Sequence, residues 1–263
     1  MLIIIGFTVG FIGTLIGAGG GFLLVPVLLL LYPTLRPEVI TSISLGVVFL
    51  NASSGSIAYA KMKRIDYRSG VIFALATLPG AIIGAFLTSS IPRHVFDVLL
   101  GSLLIVVSIF LLFKPTYSRI RKMKKRQIQR FITDSKGQTY EYSFHLWTGI
   151  IISFFVGYVS SFLGIGGGII HVPALTALLN FPIHIATATS HFILAVMALA
   201  GTLVHIFQGT LKADEWFMVI YIGAGIVIGA QLGAYYSHRI KPHWIVRALA
   251  FALLLVGLRI IFF

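Results

Sequence analysis

The sequence predicts an all-α membrane protein built from two related halves, each beginning with a helix that glycines interrupt. Three observations predict this class. Of the 263 residues, 58% are hydrophobic and only 10% are charged, whereas about a quarter of the residues in a soluble domain are charged. Apolar segments of membrane-spanning length recur along the whole chain. The stretch "LIGAGGGFLLVP" at 15–26 returns as "FLGIGGGIIHVP" at 162–173.

The composition also sets several classes of protein aside. The chain has no cysteine, which excludes disulfides and thiolate chemistry. No stretch outside the apolar segments is long enough for a soluble enzyme domain. The net charge of +13 invites a nucleic-acid partner, but nine of the 20 basic residues lie at 114–136. Such a cluster is typical of a cytoplasmic loop beside anionic lipid, so the expected partner is the bilayer and not nucleic acid.

The apolar segments form two sets of four around the basic linker. They lie at 1–31, 38–60, 69–89 and 94–113, and again at 144–179, 184–207, 214–236 and 243–263. The sets match at an offset of 147 residues, which pairs Gly10 with Gly157 and Pro26 with Pro173. We therefore expect a first transmembrane repeat at 1–113, a basic cytoplasmic linker at 114–143 and a second repeat at 144–263. A repeat of half an apolar chain is typical of transporters.

The glycine clusters predict broken or re-entrant helices. The segments 1–31 and 144–179 exceed the roughly 20 residues that a span needs, and each glycine costs a helix about 1 kcal/mol relative to alanine. A helix that restarts after such a break presents free N–H groups and its positive dipole end, which together bind anions. The predicted anion ligands are therefore Gly19, Gly20, Gly21, Gly166, Gly167 and Gly168. Close helix packing through small residues is the alternative.

The few polar residues inside apolar segments supply further candidates, because such residues usually face the interior of a helix bundle. The candidate substrate ligands are Ser44, Asn51, Thr189, Ser190 and His191. His191, His171 and His205 are candidates for proton coupling, since imidazole titrates near neutral pH. A metal enzyme built on these histidines is an alternative, but no carboxylate lies among them to complete a site. No metal or other cofactor is therefore expected.

The sequence resembles the TauE/SafE sulfite exporter family. The resemblance rests on the paired "G-x-G-G-G" elements at 17–21 and 164–168, each followed by a proline, and on "ATSHFILAVMALAGTLVH" at 188–205. It covers nearly the whole chain. The resemblance implies export of a small sulfur-containing anion, sulfite or an organosulfonate, across the bacterial cytoplasmic (inner) membrane. The first half has Ile43-Ser44 where the second has Thr189-Ser190, so the halves need not supply equal ligands.

The basic residues favour inverted repeats over repeats of the same orientation. The connection after the second segment is basic in the first half, while Asp214 and Glu215 offset Lys212 in the second half. The next connection shows the reverse distribution of charge. Since cytoplasmic loops are enriched in Lys and Arg, equivalent loops are expected on opposite faces. A secondary transporter of a small anion is the favoured function and a passive channel is the alternative, while a homo-oligomer is left open.

Overall fold

The computed structural model describes residues 1–113, 127–237 and 242–262. Helices make up most of this part of the chain. The first half contains α1 (Leu2–Ile16), α2 (Gly21–Leu31), α3 (Pro37–Lys61), α4 (Tyr67–Thr88) and α5 (Arg93–Phe113). The second half contains α6 (Leu146–Leu163), α7 (Gly168–Leu178), α8 (Ile183–Phe207), α9 (Ala213–Tyr236) and α10 (Pro242–Phe262). Residues 114–126 of the basic linker, together with Arg239 and Lys241, lie outside the described residues.

Six helices of the described residues are long and apolar enough to cross a membrane. They are α3, α4, α5, α6, α8 and α9. Many large apolar side chains on their outer faces are exposed, as expected where lipid covers them. The protein is therefore an integral membrane protein that crosses the bilayer several times.

The first segment of each half is interrupted where the glycines predict it. Helix α1 ends at Ile16 and α2 begins at Gly21, so residues 17–20 form a turn. In a continuous helix, residue 20 would lie about 10 Å along the axis from residue 13. Instead, a Cβ added at Gly13 would collide with the backbone of Gly20. The chain therefore doubles back at the turn. The second half does the same, since a Cβ added at Gly167 would lie 2.9 Å from Val156 Cγ1.

The first helix of each half packs against a helix of the other half. Helix α1 packs along α9, and α6 packs along α4. Glycines bring these backbones into contact: a Cβ at Gly10 would lie 2.5 Å from the carbonyl oxygen of Ile226, and Gly80 of α4 approaches the backbone of Phe154. Close backbone approach through small residues is a common way for helices to associate in membranes, where the hydrophobic effect contributes little between helices.

Equivalent helices of the two halves pack against each other in opposite directions. In α3 and α8, Gly55 lies beside His191 while Leu45 lies beside Gly201, so residue numbers rise in one helix as they fall in the other. Helices α5 and α10 pack in the same way. Gly101 lies beside Ile261 while the Ser108 hydroxyl donates to the carbonyl oxygen of Ala250 at 2.6 Å. Both pairs run antiparallel, which is the arrangement expected if a pseudo-twofold axis relates the halves.

A β-hairpin follows the basic linker, and the sequence analysis did not predict it. Strands β1 (Ile128–Thr133) and β2 (Thr139–Phe144) pair antiparallel, with Ile128 opposite Phe144. The inward side chains of β2 are aromatic, and Tyr142 and Phe144 pack against Phe181 with ring centroids 4.4 and 5.1 Å apart. These rings bury the hairpin against α4 and the α7–α8 connection, so part of the predicted linker is folded structure.

Candidate functional site

The two glycine turns meet at the centre of the molecule. A Cβ added at Gly21 would lie 2.5 Å from the carbonyl oxygen of Ile165, and one at Gly168 would lie 2.6 Å from that of Gly17. The contacts are equivalent in the two halves, since 168 follows 21 at the offset of the repeat. The start of α2 therefore touches the second turn, and the start of α7 touches the first.

The backbone of the turns requires glycine at several positions. Gly17, Gly19 and Gly20 have φ of 85°, 81° and 80° in the first turn, and Gly164 and Gly166 have φ of 67° and 69° in the second. Side chains rarely tolerate this left-handed region. Gly167 differs from its equivalent Gly20, because its φ is −65°. Its need for glycine comes from close packing, since a Cβ there would lie 2.9 Å from Val156 Cγ1 and 3.2 Å from Ser160 Oγ.

Neither short helix has a side-chain cap. Gly20 and Gly167 occupy the N-cap positions of α2 and α7, and no side chain bonds to the first N–H groups of either helix. The first N–H groups of an α-helix have no partner inside the helix. They also carry the positive end of the helix dipole. The two turns thus bring together two donors of the kind that binds anions.

Two of the predicted ligands lie beside the turns. The Ser44 hydroxyl donates to the carbonyl oxygen of Gly164 at 2.6 Å. The side-chain oxygen of Asn51 accepts a hydrogen bond from the Thr14 hydroxyl at 3.1 Å, at the end of α1. The Asn51 amide nitrogen is buried and finds no partner among the described residues. A buried donor in this condition costs about 1–3 kcal/mol, which a polar ligand or water would recover.

His191 also lies beside the first turn. Its Nδ1 lies 3.2 Å from the carbonyl oxygen of Thr187, and Thr187 is the residue against which Gly17 packs. Its Nε2 is fully buried and, within the described part of the chain, has no hydrogen-bond partner. The Ser190 hydroxyl is likewise buried and unpaired there. Thr189 differs from both, since its hydroxyl oxygen accepts from the backbone N–H of Asp66 at 3.0 Å.

The other two histidines lie apart from His191. His171 stands in the first turn of α7, where its Nε2 lies 3.2 Å from the Ser153 hydroxyl. His205 lies near the end of α8, and both of its ring nitrogens lack a partner in the described structure. The described residues contain no group of three or more His, Cys, Asp or Glu side chains that could hold a metal ion. The histidines therefore do not assemble the metal centre that the enzyme alternative needs.

Two residues beside the site, Tyr59 and Gly55, were not predicted as site residues from the sequence. The Tyr59 hydroxyl donates to the carbonyl oxygen of Thr14 at 2.9 Å, and the Tyr59 ring lies edge-on to His191 with centroids 5.3 Å apart. Gly55 makes room for His191, since a Cβ there would lie 2.6 Å from its Cδ2. The internal repeat did single out Gly55 and Tyr59, which align with Gly201 and His205, but a repeat alone assigns no role.

A polar network joins the β-hairpin to the connection between α3 and α4. Arg64 and Asp134 form an ion pair at 3.1 Å, with side chains 6% and 1% exposed. Burial disfavours the Asp134 carboxylate, but the N–H groups of Lys136 and Gln138 and the Arg64 guanidinium outweigh it and lower the pKa of Asp134. This carboxylate therefore stays charged and paired at neutral pH.

A second carboxylate extends this network toward α8. Asp66 accepts hydrogen bonds from the hydroxyls of Tyr142, at 2.8 Å, and Ser69, and it lies 3.5 Å from Arg130. Burial, followed by the nearby Asp66 carboxylate, raises the pKa of Tyr142. The Tyr142 hydroxyl thus remains a donor. Since the Asp66 backbone also binds Thr189, the network connects the hairpin to the helix that carries His191.

The comparisons with known proteins agree with this architecture. The family model described as "Sulfite exporter TauE/SafE" matches residues 2–260. A probable membrane transporter protein of Bacillus subtilis, YunE, is 34% identical over 268 residues, which cover 100% of this chain and 97% of the relative. A probable membrane transporter protein of Xylella fastidiosa is 26% identical over 233 residues, covering 89% and 82%. No solved structure matches the chain.

The fold and the matches define an integral membrane transporter and not an enzyme. The chain belongs to the sulfite exporter TauE/SafE family.

Proposed function

We propose that this protein is a secondary transporter that exports a small sulfur-containing anion, sulfite or an organosulfonate, across the bacterial cytoplasmic membrane. The anion binds at the N-termini of α2 and α7. The observation that carries this proposal is the meeting of two uncapped helix N-termini, beside which Asn51 Nδ2 and His191 Nε2 are buried with no partner among the described residues. Helix N-termini bind oxyanions without a charged side chain.

The position of the turns supports a site near the bilayer midplane. Val48 touches the glycines of both turns, and so does Leu194. Each of these residues lies at the middle of a 25-residue helix, α3 or α8. Such a helix is about 37 Å long and spans the bilayer. A ligand at the turns is therefore about equally far from the two ends of both helices.

The packing of the halves supports inverted repeats and alternating access. Equivalent helices α3 and α8 run antiparallel, as do α5 and α10. If these helices cross the membrane, the repeats have opposite orientation, as the distribution of basic residues predicts. Inverted repeats place a binding site at their interface, and rocking of one repeat against the other exposes that site to each side in turn.

Transport by purified protein in liposomes tests the proposal. We expect saturable uptake of radiolabelled sulfite, inhibited by methanesulfonate and less by sulfate. Gly168→Ala, which pushes the turns apart, should reduce uptake, and Gly46→Ala is the matched control. Sulfite flux that never saturates, together with steady currents in planar bilayers, would indicate a channel. The absence of any sulfite or sulfonate flux would contradict the assigned substrate class.

A further inference from the structure

The hydrogen-bonding state of His191 follows from its neighbours. Its Nδ1 lies 3.2 Å from the carbonyl oxygen of Thr187. A carbonyl oxygen only accepts hydrogen bonds, so Nδ1 carries the hydrogen. In the neutral imidazole the other nitrogen, Nε2, then has a lone pair and no hydrogen. Nε2 is thus a buried acceptor for which the described residues supply no donor.

A donor without a partner lies near this acceptor. The side-chain oxygen of Asn51 accepts from the Thr14 hydroxyl, which leaves the amide nitrogen with its hydrogens free. Asn51 and Gly55 are four residues apart and share one face of α3. A Cβ added at Gly55 would lie 3.2 Å from His191 Nε2 and 3.3 Å from Thr14 Cγ2. The unpaired acceptor and the unpaired donor therefore border the same small region beside the first glycine turn.

No charged side chain intrudes on this region. The titratable group that faces His191 from α3 is Tyr59, whose hydroxyl is already committed to the Thr14 carbonyl. Helix α1 contains no charged residue, nor does α9 after Glu215. The connection that binds α8 carries Asp66, which pairs with Arg130, and Arg64, which pairs with Asp134. The titratable residues of α4 are Tyr67, whose ring lies against Phe192, and the exposed Arg68. The protonation of a bound complex is therefore decided between His191 and the ligand.

We infer that the anion binds together with one proton, which lies between His191 Nε2 and an oxygen of the ligand. This rests on the proposed function, because it concerns the same anion. Without that proton, the Nε2 lone pair would face an oxygen lone pair, and the two would repel. A weak-acid anion brings the proton itself, as hydrogensulfite does when its O–H donates to Nε2. A sulfonate cannot, so His191 takes the proton from water and Nε2–H donates to the sulfonate oxygen.

Calorimetry counts this proton directly. Methanesulfonate is titrated into the purified protein at about pH 8, where free imidazole is neutral, in two buffers of different ionisation enthalpy. We expect uptake of close to one proton per bound ligand, and a dissociation constant that rises about tenfold per pH unit. Binding without proton uptake would overturn the inference while leaving the anion site intact. No binding of any anion would instead overturn the proposed function.

Two substitutions assign the proton to a residue. His191→Gln keeps an N–H donor but cannot take up a proton, so binding should persist, weakened, with a proton count near zero. A count that stays at one would show that another group carries the proton. His94→Gln, at an exposed histidine at the start of α5, is the matched control and should keep the wild-type count. The wild-type measurement decides the inference even if His191→Gln does not fold.

A different observation carries a second inference, on the β-hairpin. The hairpin is tied to the connection between α3 and α4 by the buried Arg64–Asp134 pair and by Tyr142, and that connection is tied to Thr189 of α8. The equivalent position in the other half, residue 43, is isoleucine and offers no hydroxyl. We propose that the hairpin holds closed the end of the site that faces the basic linker.

Cysteine labelling tests this second inference, because the native chain has no cysteine. The cysteine is introduced as Ser190→Cys. Ser190 is buried and directly follows Thr189, which binds the Asp66 backbone. Adding Tyr142→Phe removes the hydrogen bond to Asp66 and should raise severalfold the rate at which a membrane-impermeant maleimide labels it from the linker side. Tyr140→Phe, whose hydroxyl bonds residues of the hairpin itself, Gln138 among them, is the control. Equal labelling in both Phe variants would overturn the inference.

Discussion

Substituting Gly168 with alanine tests whether the two glycine turns must touch. The new Cβ would lie 2.6 Å from the Gly17 carbonyl oxygen, about 1 Å closer than van der Waals separation. The obstacle is backbone, so no side chain can swing aside, and the turns must separate by about that distance. Forcing an extra methyl group into a packed interior costs about 1–3 kcal/mol. The φ of Gly168 is not positive, so the cost is steric and not conformational.

The melting temperature of the purified protein measures this cost. A loss of 1–3 kcal/mol corresponds to a decrease of roughly 2–10 °C for a chain of this size. Gly21→Ala should cost a similar amount, because its Cβ would lie 2.5 Å from the Ile165 carbonyl oxygen. The double variant should cost less than the two together, since one separation of the turns relieves both contacts.

The control is Gly46→Ala, whose Cβ would lie 3.3 Å from a Val219 methyl group that can move slightly. It should cost less than about 1 kcal/mol. If Gly168→Ala has the same melting temperature as this control and binds sulfite as tightly as the wild-type protein, the turns tolerate separation. Their contact is then not part of the site.

Three further predictions follow from the same contacts. Gly20→Val and Gly167→Val should both abolish sulfite binding measured by calorimetry. Gly20→Val should have the lower melting temperature of the two, because only Gly20 has a positive φ. If both variants bind sulfite, the glycine turns are packing elements and not the anion site. Single cysteines at the exposed Lys63 and Lys212 should be labelled from opposite faces, and labelling from one face would refute inverted repeats. Asp134→Asn should free the hairpin to proteolysis, since breaking a buried ion pair costs about 3–5 kcal/mol; Glu141→Gln, on the exposed face of β2, should not. Because the pKa of Asp134 is lowered by folding, its stabilisation is complete above about pH 4 and is lost as the pH falls through the folded pKa. Resistance of Asp134→Asn to protease would contradict this role.

The sequence was sufficient to predict the helix breaks, because their signal is local. Each half has a cluster of glycines inside an apolar segment that is longer than a span needs, and the two clusters match at one offset. A broken helix in each half explains both copies. The contact of Gly21 with Ile165 and of Gly168 with Gly17 could not be predicted this way. It joins residues about 145 positions apart, and only the packing of α3 against α8 brings them together.

The hairpin was missed although a local signal existed. The second strand, "TYEYSF", alternates polar and apolar residues, and it follows "IQRFIT" across a short turn that contains Gly137, with φ of 79°. Two such segments around a glycine turn are typical of a hairpin. The density of positive charge led us to predict a basic cytoplasmic linker there instead. The hairpin also changes the role of Arg64 in the connection between α3 and α4. Its charge is not free in a loop, because Arg64 is buried against Asp134.

The two halves share a backbone arrangement, but the side chains at equivalent positions beside the site differ. At equivalent contacts across the axis, His191 packs against Gly55 and Leu45 packs against Gly201. Asn51 likewise aligns with Met197, and Thr189 with Ile43. A ligand on the axis would be held symmetrically by the two helix N-termini, since these belong to the repeated backbone.

The polar atoms that have no partner among the described residues are not repeated in the same way. Asn51 Nδ2 and His191 Nε2 both lie beside the first turn, whereas the residues aligned with Asn51 and His191 are Met197 and Leu45. If the repeats alternate access as proposed, the backbone donors of both turns serve both states, because they belong to the repeated backbone. A proton taken up at His191 would have no counterpart in the other half, because leucine cannot carry one. The proposed cycle would then be asymmetric, since only one half of the protein could couple the anion to a proton.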